Sequence, residues 1–109
     1  MKTAPSQLEI SMPKYLTVLA IARAKPGMET ELGKRLIALV EPSCAEEGCI
    51  SYTMHQSNDD PAVWMAYENW RSEEDLARHF ETPHLRNFAE TIDEILAEPI
   101  DIRKFSIKS

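Results

Sequence analysis

The alternation of apolar and polar positions along the chain predicts an element order of β-α-β-β-α-β. Strands show a period of two, whereas helices repeat apolar residues every three or four positions. On this basis we expect strands at 15–24, 49–56, 62–70 and 100–107, a helix at 28–43, and two helices that begin at Ser72 and Thr82. This order is typical of the α+β ferredoxin-like fold, a four-stranded antiparallel sheet with helices on one face. We therefore predict one domain at 15–109, preceded by a flexible tail at 1–14.

The first strand is apolar on both of its faces. Leu16, Val18 and Ala20 lie on one face, and Leu19 and Ile21 lie on the other. The helices cover only one side of the sheet, and a large apolar patch left in water favours association. The sequence therefore predicts a homodimer in which two sheets pack face to face.

Composition excludes several classes of partner. The net charge is -6, and no segment concentrates the basic residues with which nucleic-acid binding begins. No apolar run approaches the roughly 20 residues needed to cross a bilayer, and the first residues lack a signal-peptide pattern. Cys44 and Cys49 form neither a redox nor a metal motif, so we expect free thiols and a cytoplasmic protein.

Several short motifs, taken together and in this order, resemble the antibiotic biosynthesis monooxygenase superfamily over residues 15–109. They are Glu46-Glu47-Gly48-Cys49 followed by Tyr52, Glu68-Asn69-Trp70, Leu76 with His79, and Thr82-Pro83-His84. The resemblance implies a dimeric α+β barrel with a pocket between sheet and helices. It does not imply one reaction, because members include cofactor-independent oxygenases of quinols and polyphenols, haem-degrading enzymes and an isomerase of a phosphorylated signal molecule.

The haem-degrading branch of this superfamily does not fit the sequence. Its functional Asn, Trp and His correspond to Ala20, His79 and Ala89 here. Because alanine can neither ligate iron nor donate a side-chain hydrogen bond, we expect no haem and, more generally, no cofactor.

Oxygenation without a cofactor requires a base in a desolvated pocket, so that an electron-rich substrate anion can reduce O2. His79 is the best candidate for a catalytic base, because it lies on the apolar side of its helix between Leu76 and Phe80. A core histidine bonded to a backbone carbonyl is the alternative. His84 lies at a helix start, where the helix dipole favours a neutral ring, and it is either a substrate-binding residue or part of the helix-start motif.

The remaining candidates lie on the second and third strands. Tyr67 and Trp70 could form walls for an aromatic substrate, or they could belong to the core. Glu68 is costly if buried without a partner, so we expect it to pair with Arg103 or Lys104, to cap a backbone amine, or to act on substrate. Tyr52 is expected to line the pocket. The three histidines show no metal-site spacing, and we assign no metal.

Three functions remain open at this point. The first is a cofactor-independent monooxygenase that uses O2 on a quinol-like or polyphenolic molecule. The second is an isomerase or proton-transfer enzyme acting on a small, possibly phosphorylated, carbonyl compound. The third is a non-catalytic dimer that binds a small ligand.

Overall fold

A computed structural model describes residues 15–109 as one sheet covered by helices on one face. The strands are β1 (Leu16–Arg23), β2 (Cys49–Gln56), β3 (Val63–Trp70) and β4 (Asp101–Ser106). They are arranged β2-β3-β1-β4, and every neighbouring pair is antiparallel. The predicted α+β ferredoxin-like fold is therefore confirmed. The tail predicted at 1–14 lies outside the described residues.

The helices pack on one side of the sheet. They are α1 (Glu29–Ile37), α2 (Val40–Cys44), α3 (Glu73–Phe80) and α4 (Pro83–Thr91), and the 3-10 turn Ile92–Glu94 follows α4 directly.

The single helix predicted at 28–43 is divided into α1 and α2. Pro42 has no N–H to donate to the carbonyl of Ala38, and its ring would clash there in a continuous helix. The break therefore falls at Ala38 and Leu39, and Pro42 occupies the first turn of α2, where a missing donor is tolerated.

The core lies between the sheet and the helices and has two parts. One part groups Val18 of β1, Tyr52 of β2 and Trp70 of β3 with Leu76 of α3. The other part lies beneath α1 and the 3-10 turn, where Leu32 and Ile92 are buried. The candidate site described below adjoins the first part.

The face of the sheet away from the helices remains uncovered in one protomer. Leu19, Ile21 and Met65 on this face are only half-buried, while Tyr67 is 42% exposed and Phe105 is 46% exposed. The register explains their grouping, since Leu19 pairs with Tyr67 and Ile21 pairs with Met65. The apolar open face expected from the sequence is thus present.

Two further observations concern the surroundings of the chain. Within residues 15–109, no helix combines the length and the apolar character that crossing a bilayer demands. Cys44 and Cys49 are both free thiols, and burial raises the pKa of Cys49 to about 12.

Candidate functional site

A small apolar cavity lies between the sheet and the helices. Its volume is about 60 Å³, and its lining includes Ala20, Leu39 and Phe88 together with many other apolar side chains. Only three lining residues carry polar groups: Tyr52, Glu68 and His79. Two other lining side chains, Phe80 and Ile102, are 43% and 45% exposed, so the cavity reaches solvent beside them. The cavity is therefore a mainly apolar pocket with three polar groups in its wall.

Helix α3 fixes His79 in that wall. The hydroxyl of Ser72 caps the helix by accepting a hydrogen bond from the backbone N–H of Asp75. His79 is only 2% exposed, and its ring centre lies 4.5 Å from that of Trp70. Burial lowers the pKa of His79, although the neighbouring carboxylate of Glu46 opposes this effect. The ring is therefore held rigidly and favours its neutral form.

Glu46 is the hydrogen-bond partner of His79. Its Oε2 lies 2.7 Å from Nδ1 of His79 and 2.8 Å from Nε2 of His84. A carboxylate oxygen accepts hydrogen bonds, so these contacts place a proton on Nδ1 of His79 and on Nε2 of His84. Nε2 of His79 is consequently the ring nitrogen left for the cavity, and it is available as a proton acceptor.

Gly48 allows the loop that carries Glu46 to approach α3 closely. A Cβ atom at position 48 would lie 2.2 Å from Cγ of Asp75, which is nearer than any side chain tolerates. The carbonyl of Gly48 also accepts a hydrogen bond from the backbone N–H of Arg71 at 2.8 Å. The loop is thereby anchored to the end of β3 and the start of α3.

Glu68 is the second ionisable group of the cavity. It is 4% exposed, and its Oε1 accepts a hydrogen bond of 2.8 Å from the indole N–H of Trp70. Burial raises the pKa of Glu68 to about 7, the Trp70 hydrogen bond opposes this, and the nearby charge of Glu46 adds to it. The carboxyl group is therefore present in both protonation states near neutral pH.

The expected pairing of Glu68 with a basic residue of the last strand is wrong. Arg103 instead binds Asp101 at 2.9 Å, and Lys104 binds Glu73 at 3.2 Å. The indole N–H of Trp70 takes the place of the cation, because side chains two residues apart on a strand lie on the same face.

Tyr52 completes the polar part of the wall. It is 5% exposed, and its ring packs edge-on against Trp70 with 6.5 Å between centroids. Burial raises the pKa of the phenol, and the charge of Glu68 raises it further. Tyr52 therefore remains a neutral hydroxyl group beside the cavity.

The structure separates the other predicted site residues from the cavity. Trp70 is fully buried behind the lining, where it supports His79 and Glu68 instead of forming a substrate wall. Tyr67 lies on the open face of the sheet, because it alternates with Glu68 along β3. His84 lines an open groove with Arg35 and Asn87 instead of the cavity, although its ring centre lies 6.0 Å from that of His79 and both rings contact Glu46.

Sequence reasoning missed Glu46 as a site residue. The only signal at Glu46-Glu47-Gly48 is the place of this run in a motif of the resemblance. Glu46 lies 33 residues before His79, so no local spacing connects them. Only the packing of the loop against α3 joins the two side chains.

The sequence profile of antibiotic biosynthesis monooxygenases matches residues 15–91, which is most of the domain and contains every residue of the cavity's polar wall. The chain belongs to the antibiotic biosynthesis monooxygenase family. The resemblance inferred from the short motifs is thereby confirmed, and the family supports a general monooxygenase-like role.

Comparisons with individual proteins agree with this assignment to the family. The crystal structure of PA3566 from Pseudomonas aeruginosa is 34% identical with a TM-score of 0.85, and the alignment covers 90% of this chain and 98% of that one. Rv0793 of Mycobacterium tuberculosis, which carries a provisional monooxygenase name, is 30% identical over 84% of this chain and 89% of its own length. The uncharacterized protein sll1783 of Synechocystis is also 30% identical, and the chain spans 63% of that relative's length.

Proposed function

We propose that this protein is a cofactor-independent monooxygenase of a small quinol-like aromatic molecule. The observation that carries the proposal is the hydrogen bond of 2.7 Å between Glu46 and Nδ1 of His79 at the wall of an apolar cavity. It orients Nε2 of a buried, neutral imidazole toward a space from which water is largely excluded. A neutral imidazole held in this orientation is the base that deprotonation of a phenolic hydroxyl requires.

The reaction begins when Nε2 of His79 accepts a proton from the bound aromatic diol. The resulting anion is electron-rich and transfers one electron to O2, and the two radicals combine to a hydroperoxide that collapses with loss of water. One oxygen atom enters the ring and the other leaves as water, so a diol and O2 give a hydroxyquinone and H2O. The substrate supplies all the electrons, and the protein supplies proton transfer and exclusion of solvent.

Glu46 stabilises the imidazolium that forms in the first step. The carboxylate accepts the Nδ1 hydrogen bond throughout, which fixes the ring and strengthens as its charge develops. A buried carboxylate behind a histidine performs this task in many proton-transfer enzymes. Glu68 and the hydroxyl of Tyr52 are the two groups that can bind the second oxygen of a diol in the same cavity.

The size of the cavity limits the substrate. An aromatic ring requires roughly 150 Å³ of cavity volume, more than the about 60 Å³ present. We propose that the half-exposed side chains of Phe80 and Ile102 move aside to admit one ring. Large polycyclic molecules are disfavoured for the same reason.

We also propose that the protein acts as a homodimer in the cytoplasm. The open face presents Leu19, Ile21, Met65, Tyr67 and Phe105 to solvent in one protomer, and a second sheet would bury them. The free thiols of Cys44 and Cys49 are typical of a reducing compartment.

Oxygen consumption by the purified protein tests the function directly. Metal-stripped protein is offered a panel of single-ring hydroquinones in an oxygen electrode, and products are identified by mass. His79→Gln keeps a polar side chain of similar length but removes the base, so kcat/KM should fall by at least about 100-fold. His55→Gln, which changes an exposed histidine outside the cavity, is the matched control and should retain the wild-type rate.

The same experiment can reject the proposal. If His79→Gln consumes oxygen as fast as the wild-type protein, His79 is not the base. Turnover of small dicarbonyl compounds without oxygen uptake would replace the monooxygenase with a proton-transfer enzyme. Ligand binding by calorimetry with no turnover in either panel would indicate a binding protein.

A further inference from the structure

The residues around Glu46 form a cluster of three potential metal ligands. Nδ1 of His79, Nε2 of His84 and a carboxylate oxygen of Glu46 all lie within 4.8 Å of one another. They come from three separate parts of the chain: the loop after α2, the helix α3 and the first turn of α4. We propose that this cluster is a binding site for one divalent transition-metal ion, such as Zn²⁺ or Co²⁺.

The donor set determines the class of ion. Two imidazole nitrogens and one carboxylate oxygen suit Zn²⁺, Co²⁺, Ni²⁺ and Cu²⁺, whereas Mg²⁺ and Ca²⁺ prefer sites composed of oxygen ligands. Three protein ligands also leave one position of a tetrahedral ion for a water molecule. The site therefore discriminates against the abundant alkaline-earth ions.

The geometry requires all three ligand pairs to adjust, because the two ring nitrogens, which lie within 4.8 Å of each other, must also reach the separation of a tetrahedral site. In a tetrahedral zinc site with metal–nitrogen and metal–oxygen distances near 2.1 Å, neighbouring ligand atoms lie about 3.4 Å apart. The two hydrogen-bonded pairs are now separated by 2.7 and 2.8 Å, so each has to widen by about 0.6 Å. Glu46 and His84 can supply this movement, because their side chains are 14% and 22% exposed, while Trp70 holds His79 in place.

The ion can reach this cluster without entering the cavity. An open groove lined by Glu46, Gly48 and Thr82 lies beside the carboxylate, and a second groove reaches His84. The one cationic residue of the first groove, Arg78, is bound to Asp75 at 2.7 Å. Solvent therefore reaches the cluster through grooves other than the cavity.

Metal binding has a consequence that rests on the proposed function. In the metal-free protein, Nδ1 of His79 carries the proton and Nε2 is the acceptor. An ion at Nδ1 requires the lone pair there, so the Nδ1 proton leaves to solvent and Nε2 takes up one from solvent. His84 exchanges its proton in the same way, losing it from Nε2, which binds the ion, and taking one up at Nδ1. The ring remains neutral, but Nε2 becomes a donor and cannot deprotonate a substrate. The metal ion should therefore inhibit the monooxygenase.

Binding is measured first, without reference to activity. Untagged, metal-stripped protein is titrated with Co²⁺ in the visible region and with Zn²⁺ in a calorimeter. We expect one ion per protomer, with affinity reduced at least tenfold by Glu46→Gln and by His84→Gln. Glu47→Gln, at the adjacent residue, and His55→Gln, on the opposite face of the sheet, change exposed residues of the same chemistry and should bind as the wild-type protein does. Circular dichroism of each variant establishes that it is folded.

The outcomes separate the two proposals. A dissociation constant for Zn²⁺ weaker than about 1 mM, or binding that both cluster variants retain, would overturn the metal site. If the site binds Zn²⁺, oxygen uptake should fall with a midpoint equal to the measured dissociation constant and recover with a chelator. Binding without inhibition would overturn the regulatory consequence. Binding in a protein that never consumes oxygen would leave the site intact and reject the monooxygenase.

Discussion

At the scale of single residues, one carboxylate oxygen organises the candidate site. Oε2 of Glu46 accepts from two imidazole rings that lie on different helices, and only one of those rings reaches the cavity. The shared oxygen fixes the orientation of both rings. A metal ion that replaces the two imidazole protons facing this oxygen would bind all three side chains at once. The chemistry proposed for His79 and the metal site proposed beside it follow from this one contact.

Glu68 provides a prediction about stability at this scale. Its pKa rises from 4.5 in the unfolded chain to about 7 in the folded protein, because burial penalises the charge. The folded state therefore binds more protons than the unfolded state between these values, and this residue's contribution to the free energy of unfolding decreases as pH rises from 4.5 to 7. Its full size is on the order of 3 kcal/mol.

Urea unfolding of the wild-type protein and of Glu68→Gln at pH 5 and pH 8 measures this effect. The amide can still accept the hydrogen bond from Trp70 but cannot ionise, so the variant should gain stability relative to the wild-type protein as pH rises. Burial also lowers the pKa of His79 beside this cavity, and because both proteins contain His79, comparing them reports mainly on Glu68. Exposed Glu90→Gln is the control. A difference that does not change with pH would contradict the assignment.

At the scale of elements, helix α3 carries His79 and depends on its first turn. The hydroxyl of Ser72 accepts from the backbone N–H of Asp75 and donates to the carboxylate of the same residue at 2.8 Å. Arg71 and Arg78 bind that carboxylate as well and, with Ser72, hold its pKa well below the usual range. The beginning of α3 is therefore joined to the end of β3. This attachment fixes the helix on which His79 lies.

Removing the cap should destabilise the protein measurably. Ser72→Ala loses both hydrogen bonds and should lower the free energy of unfolding by about 1 kcal/mol. In a domain of this size that corresponds to a fall in Tm of about 4–8 °C. Ser106→Ala changes an exposed serine of β4 and serves as the comparison in thermal unfolding. Equal Tm values for the two variants would show that the cap does not stabilise α3.

At the scale of the whole molecule, the uncovered face of the sheet determines the proposed assembly. Tyr67 lies on this face and is 42% exposed, so Tyr67→Lys leaves the protomer core unchanged and places a charge in the proposed interface. We expect sedimentation at micromolar concentration to show a wild-type dimer and a Kd at least about tenfold weaker for the variant, equivalent to about 1.4 kcal/mol.

Ile37 provides the matched control for this measurement. It is 55% exposed on α1, on the helical side of the molecule, so Ile37→Lys should leave the dimer intact. A wild-type protein that sediments as a folded monomer would reject the dimer. A dimer weakened by Ile37→Lys but not by Tyr67→Lys would place the interface on the helices.

The sequence by itself determined the element order, the four strands and the apolar open face. These features depend on local period and turn residues, which the chain displays directly, as in the alternation of Trp64, Ala66, Glu68 and Trp70 along β3. His79, Tyr52 and Glu68 all line the cavity, because each stands on the side of its own element that faces the space between the sheet and the helices.

Only the tertiary structure decided how these residues meet. The contact of Glu46 with His79 spans 33 residues, and it exists because Gly48 lets a loop approach α3. Likewise, Glu68 finds the indole of Trp70 instead of a basic residue, and Tyr67 falls on the other face of β3 from the cavity. Hydrogen bonds between side chains distant in sequence require their atoms to be placed to within a few tenths of an ångström. No local pattern in a sequence encodes positions so accurately.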